Sequence, residues 1–365
     1  AMNTTLDASF TVRKRKKHMP DNNTSADNTD ALLEVIHLTK HFPIEEGFLR
    51  KQIGAVKAVD DVSFYINEGE TFGLVGESGC GKTTLGRCIV RAIDSTSGSI
   101  YLKLDTGERL DLTRMTNKEL REVRKHFHMI FQDPYGSLDP RMTILDIVGE
   151  PIRNNNLATG DEVIEMVKSL LNDVGLEIKH LNRYPHAFSG GQRQRIGIAR
   201  SLAPRPSLIV CDEPVSALDV SIQAQILNLL EELQEQYNLT YLFIAHDLAV
   251  VEHVADRIGV MYVGKLVEMA STKDLYSQPL HPYTEALISA VPSTDPDIKM
   301  ERIILPGEIA DPSSPPTGCY FHPRCPYAQK LCSEETPQWK EVTPTHYVAC
   351  HYAEELDLKG VELQY

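Results

Sequence analysis

The chain has 365 residues, 42% of them hydrophobic, and is therefore long enough to bury a large core. Its formal net charge of −14 at pH 7 argues against a general nucleic-acid or anionic-lipid binder, because those ligands require clustered Lys and Arg. No apolar run approaches the roughly 18 residues that a membrane-spanning helix needs, and the N-terminus lacks the apolar stretch of a secretory signal. We therefore expect a globular, cytoplasmic chain with one large α/β domain.

The first segment, residues 1–30, is rich in Asn, Asp, Thr and Ser and poor in large apolar side chains, so we expect a disordered arm. Its basic run from Arg13 to Lys17 is typical of a solvated arm and is assigned no role. Short strands are predicted between Leu32 and Ile66. A buried strand is predicted from Thr71 to Val75, and it runs directly into a glycine-rich loop.

The middle of the chain changes from helical to strand patterns. Thr116 and Glu119 form a possible capping box, and residues 134–200 are predicted to be a mostly helical subdomain. The strand-sized runs Leu208 to Cys211 and Tyr241 to Ala245 flank a helix and predict a βαβ unit. The apolar positions of that helix recur at helical spacing: Ile222, Ile226, Leu229, Leu230 and Leu233.

The composition changes after about Pro279, where prolines crowd around cysteines and apolar periodicity is lost. We therefore divide the chain into the arm, an α/β domain over residues 31–278, a separate C-terminal appendage over residues 279–352 and a tail over residues 353–365. The appendage has too few periodic apolar residues to fold around a core of its own, so something else must hold it.

The loop from Gly76 to Thr83 reads Gly-Glu-Ser-Gly-Cys-Gly-Lys-Thr, which fits the phosphate-binding loop pattern in the strand–loop–helix context that the pattern requires. Its backbone N–H groups can surround an anion at a helix N-terminus. Lys82 is expected to reach the terminal phosphates, and the Thr83 hydroxyl is expected to bind Mg²⁺. The predicted ATP-binding residues here are Gly76, Glu77, Ser78, Gly79, Cys80, Gly81, Lys82, Thr83 and Thr84.

Two adjacent acids, Asp212 and Glu213, follow the strand that begins at Leu208. Because ligands of open α/β sheets bind at the carboxyl ends of the strands, both side chains should lie beside the phosphates. We expect Asp212 to hold Mg²⁺ through a water molecule and Glu213 to act as the catalytic base. Such a pair can also be an ordinary solvated turn, but its occurrence together with a phosphate-binding loop favours the catalytic interpretation.

The segment Ser-Gly-Gly-Gln after Phe188 resembles the signature motif of the ABC ATPase family, which more usually has leucine before the serine. Gln132 resembles that family's Q-loop glutamine, which also contacts Mg²⁺, and His246 resembles its switch histidine. The signature residues are Ser189, Gly190, Gly191 and Gln192, and the D-loop residues are Ser216, Ala217, Leu218 and Asp219. The resemblance implies the P-loop ABC ATPase fold and a head-to-tail dimer in which each signature completes the partner's ATP site.

Three side chains form the predicted catalytic set, and a fourth is a candidate to stack on the adenine ring of ATP. Glu213, His246 and Gln132 are the predicted catalytic residues. A lone histidine is more often structural, but the position of His246 at the end of a predicted strand lets it reach a γ-phosphate. Phe42 lies where this family stacks an aromatic ring on adenine, although such a residue is equally typical of a core.

A closer resemblance is to the bacterial oligopeptide and dipeptide importer ATPases, and it covers about residues 32–352. It rests on residues 131–141, residues 188–200 and the segment from Pro282 to Leu287. The features are most similar to the second, or F-type, of the two paralogous ATPases that usually pair in that family. The resemblance implies an ATPase that powers peptide import at the cytoplasmic face of the cell membrane. The implied partners are a paralogous ATPase, two transmembrane permeases and, indirectly, an extracytoplasmic peptide-binding protein, with no nucleic acid.

Two other functions fit the ATP motifs: a soluble ABC ATPase acting in repair or translation, and the ATPase of an exporter. The chain has one cassette and no sustained heptads, which argues against the first. The second leaves the cysteines of the appendage without an explanation.

Seven cysteines occur, and four of them lie in the appendage with the spacing C-x₅-C-x₆-C-x₁₇-C. Structural zinc sites usually use tighter pairs, so the spacing favours an iron–sulfur cluster only slightly over Zn²⁺. The segment resembles the C-terminal cysteine region of peptide-importer ATPases, some of which carry a [4Fe–4S] cluster. That resemblance implies a structural cluster bound by Cys319, Cys325, Cys332 and Cys350, with zinc, a disulfide or free thiols as the alternatives.

Overall fold

The structure is a computed structural model that describes residues 31–47, 51–291 and 302–361. The predicted disordered arm, residues 1–30, lies outside the described residues, as does the end of the predicted tail.

The described residues contain two sheets. A four-stranded antiparallel sheet has the order β2-β1-β4-β5, and an eight-stranded sheet has the order β11-β12-β10-β9-β3-β8-β7-β6. The strands are β1 (Leu33–Glu46), β2 (Lys51–Ile66), β3 (Thr71–Val75), β4 (Ser97–Lys103), β5 (Arg109–Asp111), β6 (Phe127–Ile130), β7 (Leu208–Asp212), β8 (Thr240–Ile244), β9 (Arg257–Tyr262), β10 (Lys265–Ser271), β11 (Lys340–Thr343) and β12 (His346–Val348).

Ten α-helices are assigned within the described part of the chain. They are α1 (Lys82–Ile89), α2 (Asn117–Val123), α3 (Ile144–Asn154), α4 (Asp161–Asp173), α5 (Gly190–Leu202), α6 (Val220–Tyr237), α7 (Leu248–Val254), α8 (Thr272–Ser277), α9 (Pro282–Ser289) and α10 (Lys330–Glu334). Of the helices that the structure describes, none combines the length and apolarity that a membrane crossing requires.

The predicted central strands are confirmed, and their burial explains why they read as continuous apolar runs. Strands β6, β7, β8, β3 and β9 pair in parallel, and β3, β7 and β8 are buried along their whole length. Ile209 and Cys211 of β7 pack into one core, whereas Leu208 and Val210 pack into the other. This alternation is typical of a parallel sheet that is covered on both faces.

The helical region between β6 and β7 is also as predicted. Helices α3, α4 and α5 lie between residues 134 and 202 and pack on one another. The capping box of Thr116 and Glu119 is present at the start of α2. The predicted βαβ unit is formed by β7, α6 and β8, and α6 is the helix whose apolar face was read from the sequence.

The C-terminal region does not stand apart from the main sheet. Strands β11 and β12, which the sequence did not reveal, extend the eight-stranded sheet because β12 pairs with β10. Phe321 and Tyr283 pack into the larger core. The core that holds this region is shared with the strands of the main sheet. The division of the chain near residue 279, drawn from composition, stays a prediction.

A buried carboxylate fastens the same region. Glu268 of β10 is 0% exposed, and its oxygens accept hydrogen bonds from the backbone N–H groups of Leu280 (2.6 Å) and His281 (3.0 Å). The Nε2 atom of His346 on β12 lies 2.8 Å from the same carboxylate. The Glu268 side chain thus links β10 to the segment that enters α9 and to β12.

We expect Glu268→Ala to lower the free energy of unfolding by about 3 kcal/mol, because three hydrogen-bonding groups lose one buried acceptor at once. Urea denaturation followed by circular dichroism measures this change. Glu334→Ala is the control, since Glu334 is about half exposed in an ion pair with Lys330 and should change stability by no more than about 0.5 kcal/mol. Equal effects of the two substitutions would contradict the fastening role.

Candidate nucleotide site

The glycine-rich loop between β3 and α1 has backbone angles that residues other than glycine rarely adopt. Gly76 has a φ of 150° and Gly81 a φ of 109°. A Cβ at Gly76 would lie 2.1 Å from the carbonyl oxygen of Met261, and one at Gly81 would lie 1.9 Å from that of Ala58. The glycines therefore let the loop lie directly against the backbone of β2 and β9.

Lys82, the first residue of α1, is 4% exposed and folds back over this loop. Its ammonium group donates hydrogen bonds to the carbonyl oxygens of Gly76 (2.6 Å) and Glu77 (3.0 Å). A cation held at the start of a helix and within a loop of backbone N–H groups is suited to bind phosphate.

Thr83 and Asp212 are paired, as expected for two ligands of one cation. The Thr83 hydroxyl donates to the Asp212 carboxylate at 2.8 Å, and Asp212 is 1% exposed. Burial raises the pKa of Asp212, and the hydrogen bond from Thr83 opposes this effect. Mg²⁺ is commonly bound by one or two carboxylates together with substrate phosphates, so this oxygen pair fits Mg²⁺.

The three predicted catalytic side chains meet at one carboxylate oxygen. The Gln132 side-chain amide donates to Glu213 Oε2 at 2.9 Å, and His246 Nδ1 lies 3.2 Å from the same atom. Gln132, Glu213 and His246 follow β6, β7 and β8, which are neighbours in the parallel sheet. Because parallel strands end at the same edge, the sheet itself brings these residues together.

Glu213 also has a backbone conformation that few non-glycine residues adopt. Its φ is 45°, in the left-handed region. Its N–H group donates to the carbonyl oxygen of Ile244 at 3.0 Å, and the Ser216 hydroxyl donates to the Glu213 carbonyl at 3.1 Å. The strained backbone is held from two sides, so the direction of the carboxylate is fixed by the fold.

The signature and D-loop residues form a second, contiguous unit. Ser189 caps α5 in a reciprocal capping box with Gln192, and Asp219 caps α6. A Cβ added at Gly191 would lie 2.6 Å from the side chain of Ile222, so the start of α5 packs closely on α6. The D-loop residues Ser216, Ala217, Leu218 and Asp219 connect β7 to α6.

Phe42 lies on β1 with its side chain 39% exposed, and the Lys40 ammonium is 4.8 Å from its ring centroid. The ring is therefore available to a ligand rather than part of a core. Its contact with adenine stays a prediction.

The four C-terminal cysteines line one small cavity that opens to solvent. All four are free thiols, so the disulfide alternative is not present in this structure. Burial raises the pKa of Cys319 to about 11 and that of Cys325 to about 12. Among the described residues, no three His, Cys, Asp or Glu side chains are arranged to hold a metal ion. The geometry therefore supports neither a zinc ion nor a cluster, and the [4Fe–4S] cluster stays a proposal.

Two contacts to the phosphate-binding loop were missed from the sequence. The Arg324 guanidinium binds the Glu77 carboxylate through two hydrogen bonds of 2.7 and 3.2 Å, and the Glu77 N–H group donates to the Tyr283 hydroxyl at 2.9 Å. Arg324 lies 247 residues beyond Glu77, and no spacing rule connects them. The only sequence signal was indirect, because both Tyr283 and Arg324 lie in segments that carried the family resemblance.

The fold and this arrangement of motifs define a P-loop ABC ATPase. Residues 59–216 match the ABC transporter family, and residues 267–332 match the C-terminal region of the oligopeptide/dipeptide transporters. The chain belongs to the ATP-binding subunits of the oligopeptide and dipeptide branch of the ABC transporter family.

Individual relatives agree with this assignment. The chain is 53% identical over 330 residues to the oligopeptide transport ATP-binding protein AppF of Bacillus subtilis (strain 168), covering 90% of this chain and 99% of AppF. It is 49% identical over 323 residues to a probable peptide ABC transporter ATP-binding protein of Sinorhizobium fredii, covering 88% and 90%. The dimeric structure of MJ0796, a bacterial ABC transporter cassette, superposes with a TM-score of 0.58 at 28% identity over 66% of this chain and 98% of that one.

We expect Glu213→Gln to lower the ATPase rate by about 10²- to 10⁴-fold while ATP still binds, because the amide keeps the shape of the side chain but cannot accept a proton. Phosphate release and calorimetric ATP binding measure the two properties separately. The control is Glu232→Gln on α6, an exposed glutamate outside the site, which should keep wild-type turnover. An unchanged rate in Glu213→Gln would exclude Glu213 as the base.

Proposed function

We propose that the chain binds and hydrolyses ATP at the cytoplasmic face of the cell membrane and thereby powers peptide import through two permease subunits. The observation that carries the proposal is the meeting of Gln132, Glu213 and His246 at one oxygen, next to the Thr83 and Asp212 pair. The match of residues 267–332 to the peptide-transporter C-terminal region supports peptide as the substrate class.

The proposed chemistry assigns one task to each side chain. Lys82 binds the terminal phosphates, while Thr83, Asp212 and Gln132 would hold Mg²⁺, which supplies charge neutralisation on the phosphate oxygens when it is bound. Glu213 accepts a proton from the attacking water, and its oxygen is oriented by the Gln132 amide. His246, about half exposed, faces the space where the γ-phosphate would lie.

The signature residues act on a second ATPase subunit in this proposal. Ser189 and the two following glycines begin α5, a 13-residue helix whose N-terminal dipole suits an anion. The solved cassette MJ0796 is described as dimeric, which supports a head-to-tail dimer for this chain. The proposed partner is a paralogous ATPase, on the family resemblance alone.

A surface beside Gln132 is suited to contact the permeases. Phe131 is 39% exposed and Tyr135 is 61% exposed, and both flank the glutamine that contacts Glu213. Exposed aromatic rings are enriched at protein interfaces. The short segment around Gln132 would thus link movement of the membrane subunits to the nucleotide site. The extracytoplasmic peptide-binding protein would act only through the permeases.

The function is tested by reconstituting the chain with its paralogue and permeases in proteoliposomes and measuring peptide uptake driven by ATP. We expect Ser189→Arg to abolish uptake, because a bulky cation at the start of α5 blocks dimer closure while the chain's own phosphate-binding loop still binds ATP. Uptake and ATP affinity are therefore measured on the same variant.

Two results would contradict this proposal. Wild-type vesicles that hydrolyse ATP without accumulating peptide would exclude peptide import, and outward movement of peptide would favour an exporter. Full uptake by Ser189→Arg would instead show that the signature does not act on a partner's ATP.

We further propose that the four cysteines bind a [4Fe–4S] cluster with a structural role. The support is that the four thiols line one cavity and that this segment resembles the C-terminal cysteine region of peptide-importer ATPases. Such a cluster would supply four cross-links to a region that shares its core with the ATPase strands.

Anaerobic purification is expected to give a brown protein that absorbs near ~400 nm and contains about four irons per chain. Cys350→Ser should lose the iron, whereas Cys88→Ala, which removes a thiol from a different core, should keep it. Stoichiometric zinc without acid-labile sulfide would contradict the cluster.

A further inference from the structure

The Glu77 carboxylate lies in a loop that must accept a polyanion. Its neighbour Lys82 is the cation expected to meet the phosphates, and the Lys82 ammonium already donates to the Glu77 carbonyl at 3.0 Å. A free carboxylate here would repel a triphosphate and compete with it for Lys82. The loop therefore requires something that neutralises Glu77 and keeps its side chain away from the phosphates.

Arg324 meets both requirements. Its guanidinium forms a two-pronged ion pair with Glu77, with Nη1 2.7 Å from Oε2 and Nη2 3.2 Å from Oε1. The Arg324 side chain is 8% exposed and the Glu77 side chain 28% exposed, so the pair is partly shielded from solvent. Planar, paired hydrogen bonds of this kind fix the direction of a carboxylate as well as its charge.

The arginine is itself held by its surroundings. Its Nε atom donates to the carbonyl oxygen of Pro306 at 3.3 Å, and its backbone N–H donates to that of Phe321 at 3.0 Å. The Phe321 ring packs against Tyr262 and Tyr283, with centroid distances of 5.2 and 5.3 Å. Tyr283 in turn accepts the Glu77 N–H, so both the backbone and the side chain of Glu77 are attached to the C-terminal region.

We propose that Arg324 is a positioning residue for ATP binding, which neutralises and orients Glu77 so that the phosphate-binding loop and Lys82 are ready for the triphosphate. The inference rests on ATP binding at this loop, as in the proposed function. It makes the region beyond residue 279 a determinant of nucleotide affinity, although no residue of that region belongs to a nucleotide-binding motif.

The test is a double-mutant cycle on the full-length chain, with ATP affinity measured by calorimetry. Arg324→Ala should weaken ATP binding about tenfold or more, because a partly buried carboxylate in the phosphate-binding loop loses its partner. The ATP affinity of Arg324→Lys should lie between those of the wild type and Arg324→Ala, since one ammonium replaces a planar pair of donors. The double variant Arg324→Ala/Glu77→Gln should recover a large part of the affinity lost in Arg324→Ala, because the unneutralised charge is gone.

Steady-state kinetics of the assembled transporter give a second readout. Arg324→Ala should raise KM for ATP with less than about a twofold change in kcat, since Gln132, Glu213 and His246 lie on other elements. A purely structural arginine would change thermal stability without rescue by Glu77→Gln.

Arg257→Ala is the matched control. Arg257 forms an ion pair with Glu70, with side chains 11% and 7% exposed, at the opposite end of β3 from the loop, and this pair is more buried than the pair of Arg324 with Glu77. It should lower thermal stability and leave ATP affinity unchanged.

Three outcomes would overturn the inference: wild-type ATP affinity in Arg324→Ala, an affinity loss that Glu77→Gln does not rescue, or the same loss in Arg257→Ala. Failure of the wild-type chain to bind ATP would instead contradict the proposed function, so the two failures are distinguishable.

Discussion

The parallel pairing of β7 with β6 and β8 is the constraint on which the site depends. The register places Asp212 beside Ile244, and the residues that follow these strands therefore emerge at one edge of the sheet. Glu213 accepts the Gln132 amide and lies beside His246 only because three separate chain segments end at the same level. A slip of one residue would move each side chain of β7 from its own core into the opposite one, so the two cores that cover the sheet enforce the geometry of the site.

The parts of the site that the sequence revealed are those whose signal is local. Gly76 to Thr83 is a contiguous motif that follows a recognisable strand, and Asp212 with Glu213 follows another. Their meeting was predictable because strand ends in parallel sheets converge. The strained backbone of Glu213 could not be predicted, because its φ of 45° depends on hydrogen bonding to a distant segment of the chain.

The C-terminal region was harder to interpret for physical reasons. Strands β11 and β12 have four and three residues, too short for an alternation of apolar and polar side chains to be recognised. Trp339 and Tyr347 stack at a centroid distance of 6.0 Å across this short hairpin, and no sequence pattern indicated their contact. Spacing also could not show that Cys319, Cys325, Cys332 and Cys350 face one cavity, because that depends on how β12 returns to the sheet.

The attachment of β12 to β10 has a consequence for dissecting this protein. A chain cut after residue 278 to obtain the α/β domain alone would expose the hydrogen-bonding edge of β10, a seven-residue strand that is mostly buried in the intact chain. It would also uncover the Glu268 carboxylate in an otherwise apolar setting. Exposed strand edges pair with those of other molecules, so the shortened chain would be prone to aggregate.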